Sequence, residues 1–91
     1  MMYELHKYRQ KIEVTVNSTL TLKYVPDSCQ RVYIKGYNET RKVEYDDKKK
    51  VIASSIKSNE YYVDYNTGKI TFGSGIVGKT VTIIYYSREE S

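Results

Sequence analysis

The sequence predicts an all-β protein, a small antiparallel β-sandwich or barrel of about six to eight short strands. Three observations lead there. Apolar residues recur at every second position in one segment after another. Gly, Asn, Asp, Pro and Ser punctuate the chain at short intervals between those segments. No stretch sustains a helical period.

Taken in order, residues 1–8 have mixed polarity and read as an N-terminal arm, with Leu5 and Tyr8 as the one weak hint of a helical face. Residues 9–16 put Ile12, Val14 and Val16 on one face and Glu13 and Thr15 on the other, which is a strand. Asn17-Ser18 signals a turn, and Leu20, Leu22 and Tyr24 make residues 19–25 a second strand, ended by Pro26-Asp27-Ser28. Residues 29–37 form a third, with Val32 and Ile34 inward and Tyr33 and Lys35 outward. Residues 36–40 read as a turn and residues 41–46 as a short strand carrying Val43 and Tyr45 on one face. After the charged tip at 46–50, residues 51–56 are apolar and β-branched enough for another strand.

The most patterned part is the last third. Tyr61, Val63 and Tyr65 alternate with Tyr62 and Asp64, and Asn66-Thr67-Gly68 supplies a turn in which Gly68 takes a positive φ. Ile70 and Phe72 restart the alternation. After Gly73-Ser74-Gly75, Val81, Ile83 and Tyr85 form the inward row of a final strand over 79–86. Residues 87–91 are a polar tail, expected to fray.

The 91 residues make one domain. A chain this short buries a modest share of its surface, so a partner or a second copy has room to add stability. Eleven Tyr against one Phe and no Trp favour half-exposed sheets and contact surfaces, because tyrosine combines large area with a polar tip. The net charge of +4 is a weak electrostatic footprint, although the positive excess lies in residues 1–57. Cys29 is the only cysteine, which excludes an intrachain disulfide and suits a reducing compartment. Met1–Tyr8 leads into no apolar core of a secretion signal, and no apolar run is long enough to span a membrane.

The chemistry-bearing residues are sparse. A zinc site takes about four clustered ligands, and His6 and Cys29 stand alone, so no metal or other cofactor is expected. Ser18, Ser28, Ser54 and Ser55 lack the context of an activated nucleophile, and the acidic pairs Asp46-Asp47 and Glu89-Glu90 are neighbours in sequence and do not face each other across a cleft. No catalytic residue is assigned. Gly73 to Thr80 does spell G-x-x-x-x-G-K-[ST], but a phosphate loop opens a helix and here a β-branched strand follows. The segment is therefore read as a connection between strands, with no nucleotide-binding role. Lys48-Lys49-Lys50 is read as a solvated tip beside Asp46 and Asp47, and nucleic-acid binding is disfavoured.

Four phrases carry a family resemblance: Tyr24-Val25-Pro26, the run from Arg31 to Gly36, the run from Tyr62 to Phe72, and the run from Gly78 to Tyr86. Their order resembles small all-β modules of tailed-bacteriophage virion structural proteins, found in neck, tail, fibre and capsid-decorating components. The likeness spans residues 12–86. It implies a non-enzymatic virion protein that mediates particle assembly, in the neck or head-tail joining region or in the tail, with capsid decoration as an alternative. It also implies other virion proteins as partners, many copies per particle, and assembly in the host cytoplasm with no membrane role. Two further alternatives are a carbohydrate- or host-surface-binding module and a small single-stranded nucleic-acid-binding protein.

If Val81, Ile83 and Tyr85 point inward, Ile84 and Tyr86 point outward, and Tyr33, Tyr37 and Tyr62 are expected to do the same on their strands. Tyr33, Tyr37, Tyr62, Ile84 and Tyr86 are the candidate protein interface, since exposed apolar-aromatic patches mark contact surfaces.

Overall fold

The computed structural model describes residues 3–15, 18–27 and 30–90, with the backbone alone at 3, 4 and 88–90. Seven strands run in the order β1 (Tyr3–Glu13), β2 (Thr19–Thr21), β3 (Tyr33–Ile34), β4 (Asn38–Glu39), β5 (Glu60–Asp64), β6 (Lys69–Phe72) and β7 (Thr80–Glu90). They form two sheets, ordered β1-β7-β3 and β2-β6-β5-β4. All pairings are antiparallel except that of β4 with β5, which is parallel. The all-β class read from the sequence is the class observed. Cys29, together with Val16, Asn17 and Ser28, lies outside the described residues.

The inward rows close the core. Val81, Ile83 and Tyr85 of β7 and Ile34 of β3 are buried, as are Tyr61, Val63, Ile70 and Phe72 of β5 and β6. Tyr8 of β1 stands directly opposite Tyr85 in the ladder. It stacks on the Tyr85 ring at 5.4 Å and on Tyr24 at 4.6 Å, so three tyrosines form one stack against the core. The turn joining β5 to β6 takes its expected form. Gly68 has φ 81, its N–H donates to the Asp64 carbonyl at 2.8 Å, and the Asp64 carboxylate accepts the Asn66 N–H at 2.9 Å.

Several sequence expectations are corrected. Residues 3–8 are not an arm and the last strand does not stop at residue 86: β1 and β7 pair without a break from Tyr3↔Glu90 to Glu13↔Thr80. Each polar strand satisfies the other's backbone groups, which neither could do alone. The strand expected over 51–56 is a 3₁₀ turn at Ala53–Ser55. That expected over 41–46 contributes only an isolated bridge, Tyr45↔Val51. Among the described residues the two segments bond chiefly to each other, the Ile52 N–H donating to the Glu44 carbonyl at 2.8 Å, and β-branched content cannot substitute for a longer ladder. The turn expected over 36–40 ends early, with Gly36 at φ 90, and Asn38–Glu39 then joins β5 as β4.

Strand β3 is shorter than expected because side chains take over its second edge. The Tyr61 hydroxyl accepts the Ile34 N–H at 3.2 Å and donates to the Val32 carbonyl at 2.8 Å. The Tyr65 hydroxyl accepts the Val32 N–H at 3.0 Å and donates to the Glu39 carboxylate at 3.0 Å. Arg31 pairs with the same carboxylate and lies over the Tyr65 ring at 4.2 Å. Tyrosines of one sheet thus satisfy the backbone of the other, which locks the two sheets together.

Candidate functional site

The outer face of the β1-β7-β3 sheet follows directly from the register. Residues opposite each other in an antiparallel ladder share a face. Lys7↔Tyr86, Arg9↔Ile84 and Lys11↔Thr82 form three such pairs, and Tyr33↔Ile84 extends the middle one across β3. The Lys35 N–H continues the pairing by donating to the Thr82 carbonyl at 3.2 Å. The result is a row of Tyr33, Ile84 and Tyr86 with Lys7, Arg9, Lys11 and Lys35 around it. Tyr33 is 51% exposed and the four cations are exposed, whereas Ile84 and Tyr86 are half-buried.

Three of the five residues singled out in the sequence therefore come together. The other two do not join them. Tyr62 points outward from β5, on the opposite side of the sandwich, and its hydroxyl lies 3.2 Å from that of Tyr45. That hydrogen bond, with burial adding to it, pushes the Tyr62 phenol up to about 12. Tyr37 is a correction. It packs against the core because the positive-φ turn at Gly36 reverses the chain before it, and the Tyr37 N–H donates back to the Ile34 carbonyl at 3.2 Å.

The cations of the face were not singled out in the sequence. Their signal was present as Leu5, Lys7, Arg9 and Lys11 at every second position, but it has meaning only once residues 3–8 are strand and not arm. Chemically the face can bury apolar and aromatic area at its centre and attract acidic groups at its rim.

The Gly-Lys-Thr phrase resolves differently from a phosphate loop. Thr80 opens β7, and no helix follows. Gly73 is demanded by packing: a Cβ there would sit 2.0 Å from the Lys57 carbonyl oxygen, and its N–H donates to the Glu60 carbonyl at 2.8 Å. Among the described residues, no group of three His, Cys, Asp or Glu side chains is placed to hold a metal ion, and no helix is long and apolar enough to cross a membrane.

No curated protein and no solved structure matches the chain. A family model does match, described as the SPbeta prophage YomF protein, N-terminal domain, and it covers residues 4–90. This span reaches from the long first strand to the long last one, so the match concerns the whole sandwich and not one hairpin. The chain therefore belongs to the family of the SPbeta prophage YomF protein N-terminal domain and is phage-related.

Proposed function

We propose that this domain is a non-enzymatic structural protein of a phage particle, acting in assembly at the neck or head-tail joining region or in the tail, in several copies. The observation that carries this reading is the outer face of the β1-β7-β3 sheet. Its apolar centre of Tyr33, Ile84 and Tyr86, framed by Lys7, Arg9, Lys11 and Lys35, has the makeup of a protein contact and not of a reaction site. The partner is another virion protein with an apolar patch inside an acidic rim. The aromatic and aliphatic anchors supply affinity, and the cations supply orientation and a salt-dependent rate of encounter.

The test contrasts two rows of one strand. Replacing Ile84→Ser together with Tyr86→Ser leaves the isolated domain folded, with a melting temperature close to the parent, and cuts its abundance in purified particles by about tenfold. Replacing buried Ile83→Ala instead costs about 2–5 kcal/mol of fold stability. If the outer-row variant unfolds and its absence from particles merely tracks that loss, the face is covered within the monomer and the reading fails.

A further inference from the structure

The opposite side of the sandwich carries a second feature, independent of the assembly face. Across β2, β6 and β5 the register aligns Thr19, Thr71 and Tyr62 in one outward row and Thr21, Lys69 and Asp64 in the next. The segment from Tyr45 to Ala53 rises beside these rows and encloses a groove of about 700 Å³, within the size range of sites for small ligands.

The groove is built. Asp46 fixes the loop, its Oδ1 accepting the N–H groups of Lys48 and Lys50 at 2.9 Å each, and the Lys50 carbonyl accepts the Asp46 N–H at 2.9 Å. The bridge Tyr45↔Val51 closes the loop's base. A hydrogen bond between the Tyr45 and Tyr62 hydroxyls at 3.2 Å ties Tyr45 to the sheet, and that residue remains 54% exposed. Lys49, Lys50 and Lys69 line the groove, and none is paired with a carboxylate among the described residues. Asp64 is the one acidic side chain in the lining.

We infer that this groove binds an anionic oligosaccharide, a short run of sugars bearing carboxylate or phosphate groups. Threonine hydroxyls, the Asn66 amide and the Asp64 carboxylate match the donor and acceptor pattern of sugar hydroxyls. An exposed tyrosine ring offers a flat apolar face for the C–H side of a pyranose. Three unpaired lysines meet the acid groups. A nucleic-acid strand fits less well: the lining holds two tyrosine rings joined through their hydroxyls in place of a track of successive stacking rings. A peptide fits less well because the floor presents the side chains of a sheet face, where an extended chain finds no ladder to join.

The experiment is a two-dimensional amide titration of the isotopically labelled chain. The probes are tetragalacturonate, a phosphodiester-linked glycan of similar length, neutral maltotetraose and a short oligothymidylate. The first two distinguish carboxylate from phosphate as the acid group. We expect one or both to shift the amides of Thr19, Tyr62, Thr71 and residues 45–53, and maltotetraose to bind more weakly at the same place. Tyr45→Ala weakens the best probe by about tenfold while the melting curve stays put, since the ring is exposed. Lys50→Gln with Lys69→Gln abolishes the preference for acidic over neutral sugar. The inference is overturned if no saccharide shifts these amides, if oligothymidylate fills the groove while saccharides do not, or if the shifts fall instead on Lys7, Arg9 and Lys11.

Discussion

Tyr61 and Tyr65 act as substitutes for a strand. Their hydroxyls occupy the positions where a neighbour's backbone would meet Val32 and Ile34. Removing the Tyr61 hydroxyl leaves a buried N–H and a buried carbonyl without that partner. Tyr61→Phe should therefore cost about 1–3 kcal/mol in chemical denaturation, although the ring and its packing remain. Gly68 is sensitive for a different reason. The nearest atoms to an added Cβ are at 3.5 Å, which is ordinary contact, so the constraint is the backbone at φ 81. Gly68→Val should lose about 1–3 kcal/mol, while Gly68→Asn, which tolerates the left-handed region, should recover most of it. Equal melting temperatures for the two variants would contradict this account of the turn.

Among the elements, the long pair β1 and β7 carries both the fold and the candidate face. Its inner row contributes Tyr8 and Tyr85 to the stack with Tyr24, and its outer row contributes Lys7, Arg9, Ile84 and Tyr86 to the face. Deleting residues 1–8 should thus lower the melting temperature by roughly ten degrees, through loss of a half-buried ring and of the ladder along one side of β7. An arm that merely hung from the sandwich would leave the melt unchanged. The connection from β6 to β7 is fixed by close approach. Gly73 and Gly75 lie against the backbone of residues 57–60, where any Cβ would overlap a carbonyl oxygen. That is why a glycine-rich phrase here serves packing.

The whole molecule measures 41 × 30 × 18 Å, a thin sandwich whose two outer faces differ in chemistry. One is cationic around an apolar centre, and the other is a hydroxyl-rich groove. Its stability should fail at alkaline pH. Burial pushes the Tyr61 and Tyr65 phenols from the ordinary 10.0 up to about 12, and burial raises Tyr85 as well. The unfolded chain gives up these protons first. The stabilisation from keeping them neutral is fully present below pH 10 and disappears as pH rises toward 12. The denaturant midpoint should be level at neutral pH and fall steeply over that window, with tyrosinate absorbance rising in step. A midpoint that stays level through the window would show that these phenols ionise without opening the core.

The all-β class, the inward rows Tyr61-Val63, Ile70-Phe72 and Val81-Ile83-Tyr85, and the turn at Gly68 were all legible in the residues alone. These are local signals: one-sided burial imposes a period of two, and a positive φ selects glycine. Tertiary structure alone decided that polar residues 3–8 are strand, that β3 is short, that residues 53–55 turn, and that Tyr62 and Tyr37 part from the row of Tyr33, Ile84 and Tyr86. The reason is that a strand exists through its partner. Backbone hydrogen bonds join residues distant in sequence, so which segments find a neighbour, and which side chains then share a face, is set by register and not by any residue's own pattern.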